Sequence, residues 1–187
     1  KENSTLILSS TTNSGKARAI KSFLQIVAQQ GSVTEAVKFL QEPVTLKELN
    51  ELNKSLGYSS LSDSGKTLKR ITEVATGESN LIPRMFIFGK KVGAYTLNST
   101  GKTEFTTTDI WESRFIRSYF TSMFRENTGL PASAFEDELF QEFTKDFNRE
   151  FNKKYGKKFE PSALQAVRWF YIIDAFKRSG YKNANTS

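Results

Sequence analysis

The stretch with the most potential for chemistry is residues 85–115, MFIFGKKVGAYTLNSTGKTEFTTTDIWESRF. Phe88-Gly89 leads into Lys90-Lys91-Val92-Gly93-Ala94-Tyr95, which reads as a turn opening a helix. Backbone N–H groups at such a start, with two lysines beside them, can cradle a phosphate. Asp109 opens a further helix, with Trp111 and Arg114 just beyond it. A helix-capping aspartate and two surface lysines account for the same residues without any ligand, so both readings stand at this point. Two other segments, Ser14-Gly15-Lys16-Ala17 and Ser64-Gly65-Lys66-Thr67, carry the Gly-Lys pair of a P-loop. The leading glycine is missing from each, because Ser10 and Ser60 hold its place, and no apolar run ending in Asp follows. These segments read as ordinary helix starts.

The residue types narrow the chemistry further. The 187 residues include no Cys and no His. That removes disulfides, thiol nucleophiles, histidine-ligated metals, Ser-His-Asp triads and any histidine base. Lys, Asp, Glu, Ser, Thr and Tyr remain. The chain holds 27 basic against 20 acidic residues, a net charge of +7 that favours an anionic partner such as nucleic acid. Residues 1–108 carry 14 basic and 9 acidic side chains, and residues 109–187 carry 13 and 11, so the bias lies mostly in the first part. No run of eighteen apolar residues offers a membrane span. Lys1 in place of Met reads as a chain trimmed, processed or cut from something longer.

The elements that must position these groups are helical. Ala17, Ile20, Phe23, Leu24 and Val27 recur at three- and four-residue spacing. Val33, Val37 and Leu40, then Leu46, Leu49, Leu52 and Leu56, then Leu61, Leu68, Ile71 and Val74, predict three more helices. Phe135, Leu139, Phe143, Phe147 and Phe151 predict a long amphipathic helix with an aromatic seam and Phe140 beside it. Ser133 and Glu136 have the spacing of a capping box for that helix. Pro161 opens a last helix, with Leu164, Val167, Phe170, Ile173 and Phe176 as its apolar positions. Asn98–Gly101 and Thr106–Thr108 read as loops, and Gln165 and Arg168 have no assignable role. Arg168 beside Trp169 reads as a cation–π or packing contact.

The segment from Gly89 to Arg114 resembles the helix-hairpin-helix DNA glycosylase/lyase superfamily, the HhH-GPD fold of endonuclease III-like enzymes. Gly89-Lys90-Lys91 matches that family's Gly-x-Lys, followed by the small residues Gly93 and Ala94. Asp109-Ile110-Trp111-Glu112-Ser113-Arg114 matches its Asp-Thr-His-x-x-Arg-like helix start, eighteen residues after Lys91. Leu6–Thr12 resembles its Leu-Leu-Ser-x-Gln pocket segment, with the Gln falling near Thr11. Gly57-Tyr58 and the Lys66–Ile71 helix resemble the segment before the hairpin, so the likeness covers roughly residues 4–120. The family's Leu-Pro-Gly-(Val/Ile)-Gly is Met85-Phe86-Ile87-Phe88-Gly89 here, and its His is Trp111. Segments of this type also resemble ones embedded in phage polyproteins.

The resemblance implies an all-α, HhH-GPD-like glycosylase core over residues 1–128; the tail has no counterpart in that family and reads as a C-terminal helical extension over 129–187, packed on that core. It implies a glycosylase or glycosylase/AP lyase with Lys91 as Schiff-base nucleophile and Asp109 as catalytic carboxylate, acting on a flipped base. Gly89, Lys90, Gly93, Thr11 and Arg114 would contact DNA, and Phe88, Tyr95 and Trp111 would stack or wedge. Double-stranded DNA is the expected partner, with no cofactor, no metal and no membrane. The expected state is a monomer in the cytoplasm, the host's if the chain is phage-encoded. Two alternatives are a non-catalytic DNA-binding module and a phage structural or packaged protein, either of which would retain the fold.

Overall fold

The computed structural model describes residues 13–120 and 134–180, without the side chains of 13–16, 62–64 and 134. The described residues are all-α apart from one two-residue strand pair. They form two compact units that divide between Phe105 and Thr106. The expected boundary at 128/129 lies outside the described residues. Ile110–Tyr119 packs with the two long C-terminal helices, so it belongs with them. No described helix is long and apolar enough to cross a membrane.

The first unit contains α1 (Asn13–Gln30), α2 (Val33–Gln41), α3 (Leu46–Ser55), α4 (Ser62–Thr76) and α5 (Lys90–Ser99). The strands β1 (Pro43–Val44) and β2 (Ile82–Pro83) pair antiparallel, and a 3₁₀ turn follows at Arg84–Phe88. Local chemistry sets the helix ends. Ser32 Oγ accepts the Glu35 N–H to start α2. Thr45 and Glu48 form a reciprocal capping box for α3, and the Thr45 N–H and hydroxyl, both donating to Glu48 Oε2, hold the Glu48 carboxyl below its ordinary range. Ile26, Ala36, Leu40, Leu49, Ile82, Phe86 and Leu97 fill an apolar core. The stretch Asn98-Ser99, which reads as loop in the sequence, is the last turn of α5. Its polar side chains make this end self-sufficient: Ser99 Oγ and Thr100 Oγ1 donate back to the Tyr95 and Thr96 carbonyls.

The second unit contains α6 (Ile110–Tyr119), α7 (Ala134–Tyr155) and α8 (Pro161–Arg178). Its helices begin and end near the expected places, but their buried faces differ from expectation. Four-residue steps overshoot a turn by about 40°, so the seam winds round α7. Phe135 is therefore exposed, Phe140 is fully buried, and Phe143, Phe147 and Phe151 form a half-buried ladder with ring centroids 5.9 and 6.0 Å apart. Steps of three fall about 60° short. On α8 the buried positions are accordingly Leu164, Gln165, Arg168 and Ile172, while Val167 and Phe170 face outward.

Candidate functional site

Lys91 stands in the first turn of α5 and is half-buried. Gly89 precedes the helix at φ 90°, ψ 161°, a conformation open essentially to glycine alone. Among the described residues no side chain caps this helix start, so its first N–H groups could meet an anion. Beneath them, Gly93 is buried. A Cβ there would come within 2.6 Å of Phe86 Cδ1 and 3.1 Å of the Met85 carbonyl oxygen. Gly93 thus lets α5 lie against the 3₁₀ turn and does not face a ligand. Phe88, Lys90 and Tyr95 are half-buried.

Asp109 is the N-cap of α6, in extended conformation. Its Oδ1 accepts the N–H groups of Trp111 and Glu112 at 3.0 and 2.9 Å. Trp111 is buried, edge-on to Phe176 at 5.6 Å, so it serves the core and not a base wedge. The Arg114 guanidinium lies over the Trp111 ring at 4.7 Å and near Phe176 at 5.5 Å. Lys91 belongs to the first unit, and Asp109 and Arg114 to the second. Thr11, Ser133 and the Leu6–Thr12 segment lie outside the described residues. Glu136 pairs with Arg117 at 2.7 Å, and the Ser133 half of the expected capping box lies outside the described residues. The two Gly-Lys segments lie within helices, and a Cβ on Gly65 would come within 2.5 Å of Leu46 Cδ1.

Behind Asp109 is a charged cluster that sequence reasoning missed. Glu112 and Arg168 are both buried and pair at 2.5 Å. Thr144 Oγ1 donates to the same Glu112 oxygen at 3.2 Å. The Arg168 guanidinium also lies over Phe115 and Phe147, at 5.4 and 5.1 Å, and Trp169 packs on Phe170 instead. Burial pushes the Glu112 carboxyl above its ordinary range, and Arg168 pulls it back only in part. Glu112 Oε2, Ser113 Oγ and Arg168 Nε and Nη1 have no hydrogen-bond partner among the described residues. The available signal was Arg168 standing four residues from both Leu164 and Ile172, a charge on an apolar stripe.

Gln141 and Gln165 hold the approach to Asp109. Gln141 accepts the Thr106 N–H at 3.1 Å and donates to the Thr106 carbonyl at 2.9 Å. Gln165 does the same to Thr107, at 2.9 and 2.6 Å. Nothing in one-dimensional spacing marks either role.

No protein-family model, curated protein or solved structure matches the chain.

Proposed function

We propose that the chain is a DNA glycosylase or glycosylase/AP lyase, with Lys91 as nucleophile and Asp109 as the acting carboxylate. One observation carries the reading. Lys91 occupies the first turn of an uncapped helix behind a glycine-only turn, and Asp109 starts another helix eighteen residues later. Gly89 and the first N–H groups of the α5 start would hold a DNA phosphate, with Lys90 adding charge.

The Lys91 amine, once deprotonated, forms a bond to the sugar C1′ as the glycosidic C–N bond breaks. The electron pair leaves with the base, which takes up a proton. Asp109 stabilises the positive charge that develops on the sugar. Opening of the sugar ring then gives the Schiff base. Loss of a C2′ proton expels the 3′ phosphate in the lyase step.

Borohydride trapping on abasic duplex DNA tests the lysine. Wild type is expected to form a covalent adduct that Lys91→Ala abolishes. No adduct and no base release, or an adduct that survives Lys91→Ala, would sink the assignment. A non-catalytic DNA-binding module is the second reading. It is favoured by the turn itself, where Met85, Phe86 and Ile87 are buried as core. Asp109→Asn separates the two, since Asn caps a helix as well as Asp does. The enzyme loses base release and keeps DNA affinity; the module has no release to lose.

A further inference from the structure

The turn between α7 and α8 carries a basic and aromatic cluster that the proposed chemistry does not use. Lys153, Lys154, Lys157 and Lys158 are all exposed. None of the four is in an ion pair among the described residues. The acids just before them, Asp146 and Glu150, are both engaged by Arg149, at 2.8 and 3.2 Å. Tyr155 and Phe159 stand among the lysines with 53% and 43% of their surface exposed.

This turn is built, not frayed. The Asn152 side chain donates to the Phe159 carbonyl at 2.8 Å and accepts the Phe159 N–H at 2.9 Å. The Lys157 N–H reaches the Asn152 carbonyl at 3.0 Å, and Gly156 takes φ +60° to allow the reversal. Both exposed rings rest on Phe151, with centroids at 4.6 Å for Tyr155 and 6.1 Å for Phe159. The Lys154 ammonium lies 5.3 Å from the Tyr155 ring centre.

We propose that this turn binds single-stranded nucleic acid. Unpaired lysines attract the phosphates. Aromatic rings interleaved with them stack on bases without regard to sequence. A duplex hides the base faces that Phe159 and Tyr155 would meet, so the single strand is the better fit. An anionic membrane surface would also attract the lysines. Its usual aromatic anchors reach into the headgroup layer, whereas these two rings are held back against Phe151. The proposal needs neither Lys91 nor Asp109.

Titration of the full chain against a labelled oligothymidylate, followed by fluorescence anisotropy across a salt series, tests it. Replacing all four lysines with serine is expected to weaken binding at least tenfold. The slope of log affinity on log salt should flatten by about 0.7 for each phosphate the variant no longer neutralises. Phe159→Leu is expected to weaken binding roughly five- to a hundredfold, with the slope unchanged. Circular dichroism checks that each variant folds. Unchanged binding in the lysine variant overturns the proposal, and unchanged binding in Phe159→Leu overturns the stacking role. Tighter binding to phosphatidylserine vesicles than to the oligonucleotide, abolished in the lysine variant, reassigns the turn to a membrane surface and also overturns it. Oligothymidylate offers no damaged base or abasic site. A failed trapping experiment therefore leaves this result standing, and the reverse holds too.

Discussion

The two units bury different things. In the first, the interior is apolar, and the buried polar side chains among the described residues are the small Ser22, Asn53, Thr72 and Thr96. In the second, Glu112, Glu136, Asp137, Gln141, Gln165 and Arg168 are buried around a few rings and aliphatic chains. Apolar burial is non-directional and roughly proportional to area. Buried charge stabilises only when paired, and its geometry is specific. The first unit should therefore tolerate changes of shape gradually, while the second should fail when a single partner is removed. Asp109, half-buried, caps a helix of the second unit that Glu112 ties to both neighbouring helices.

The largest effects break this contrast most directly. Arg168→Ala strands a buried carboxylate and should destabilise the second unit by about 3–5 kcal/mol. Both tryptophans, Trp111 and Trp169, lie in that unit, so their fluorescence in denaturant reports it. Replacing Glu112 and Arg168 together with Met should be much milder than Arg168→Ala alone. A double variant as damaged as the single one would remove the case for charge pairing. In the first unit, Phe86→Ala should cost about 3–5 kcal/mol through a cavity, read by faster hydrogen exchange in α5, and no second substitution of that kind should rescue it. Gly93→Ala drives a methyl into Phe86 and should cost about 1–3 kcal/mol; a neutral outcome would show that α5 can shift away.

The smallest effect is a slope. The folded state keeps the Glu112 proton at pH values where the unfolded chain has released it. Stability of the second unit should thus fall as pH rises from the ordinary glutamate value of 4.5 through the raised one, then level off. Glu112→Gln should flatten that fall. A pH series of denaturant midpoints decides the matter, and an unchanged slope would place the titration elsewhere.

Helix positions are legible in the sequence because three- and four-residue apolar spacing, glycine turns and Pro161 are local signals. The start of α5 behind Gly89 and the N-cap at Asp109 are legible for the same reason. Buried faces are less so. Long steps of three or four drift round a helix, so Val167 and Phe135 fall on the expected apolar stripes and yet are exposed. The Glu112–Arg168 pair joins residues 56 apart, and partners at that separation leave no periodic trace. Gly93 stands where the sequence suggests a DNA contact, but its meeting with Phe86 is a matter of space, not spacing.

Residues 106–108 belong to no helix or strand. Yet Gln141 and Gln165 give Thr106 and Thr107 what a neighbouring strand would, one donor and one acceptor apiece. The N–H protons of those two threonines should exchange with deuterium about as slowly as those inside α6. A protease that seeks irregular backbone should pass this stretch by, and the carboxylate that follows it would keep its place while the chain around it breathes.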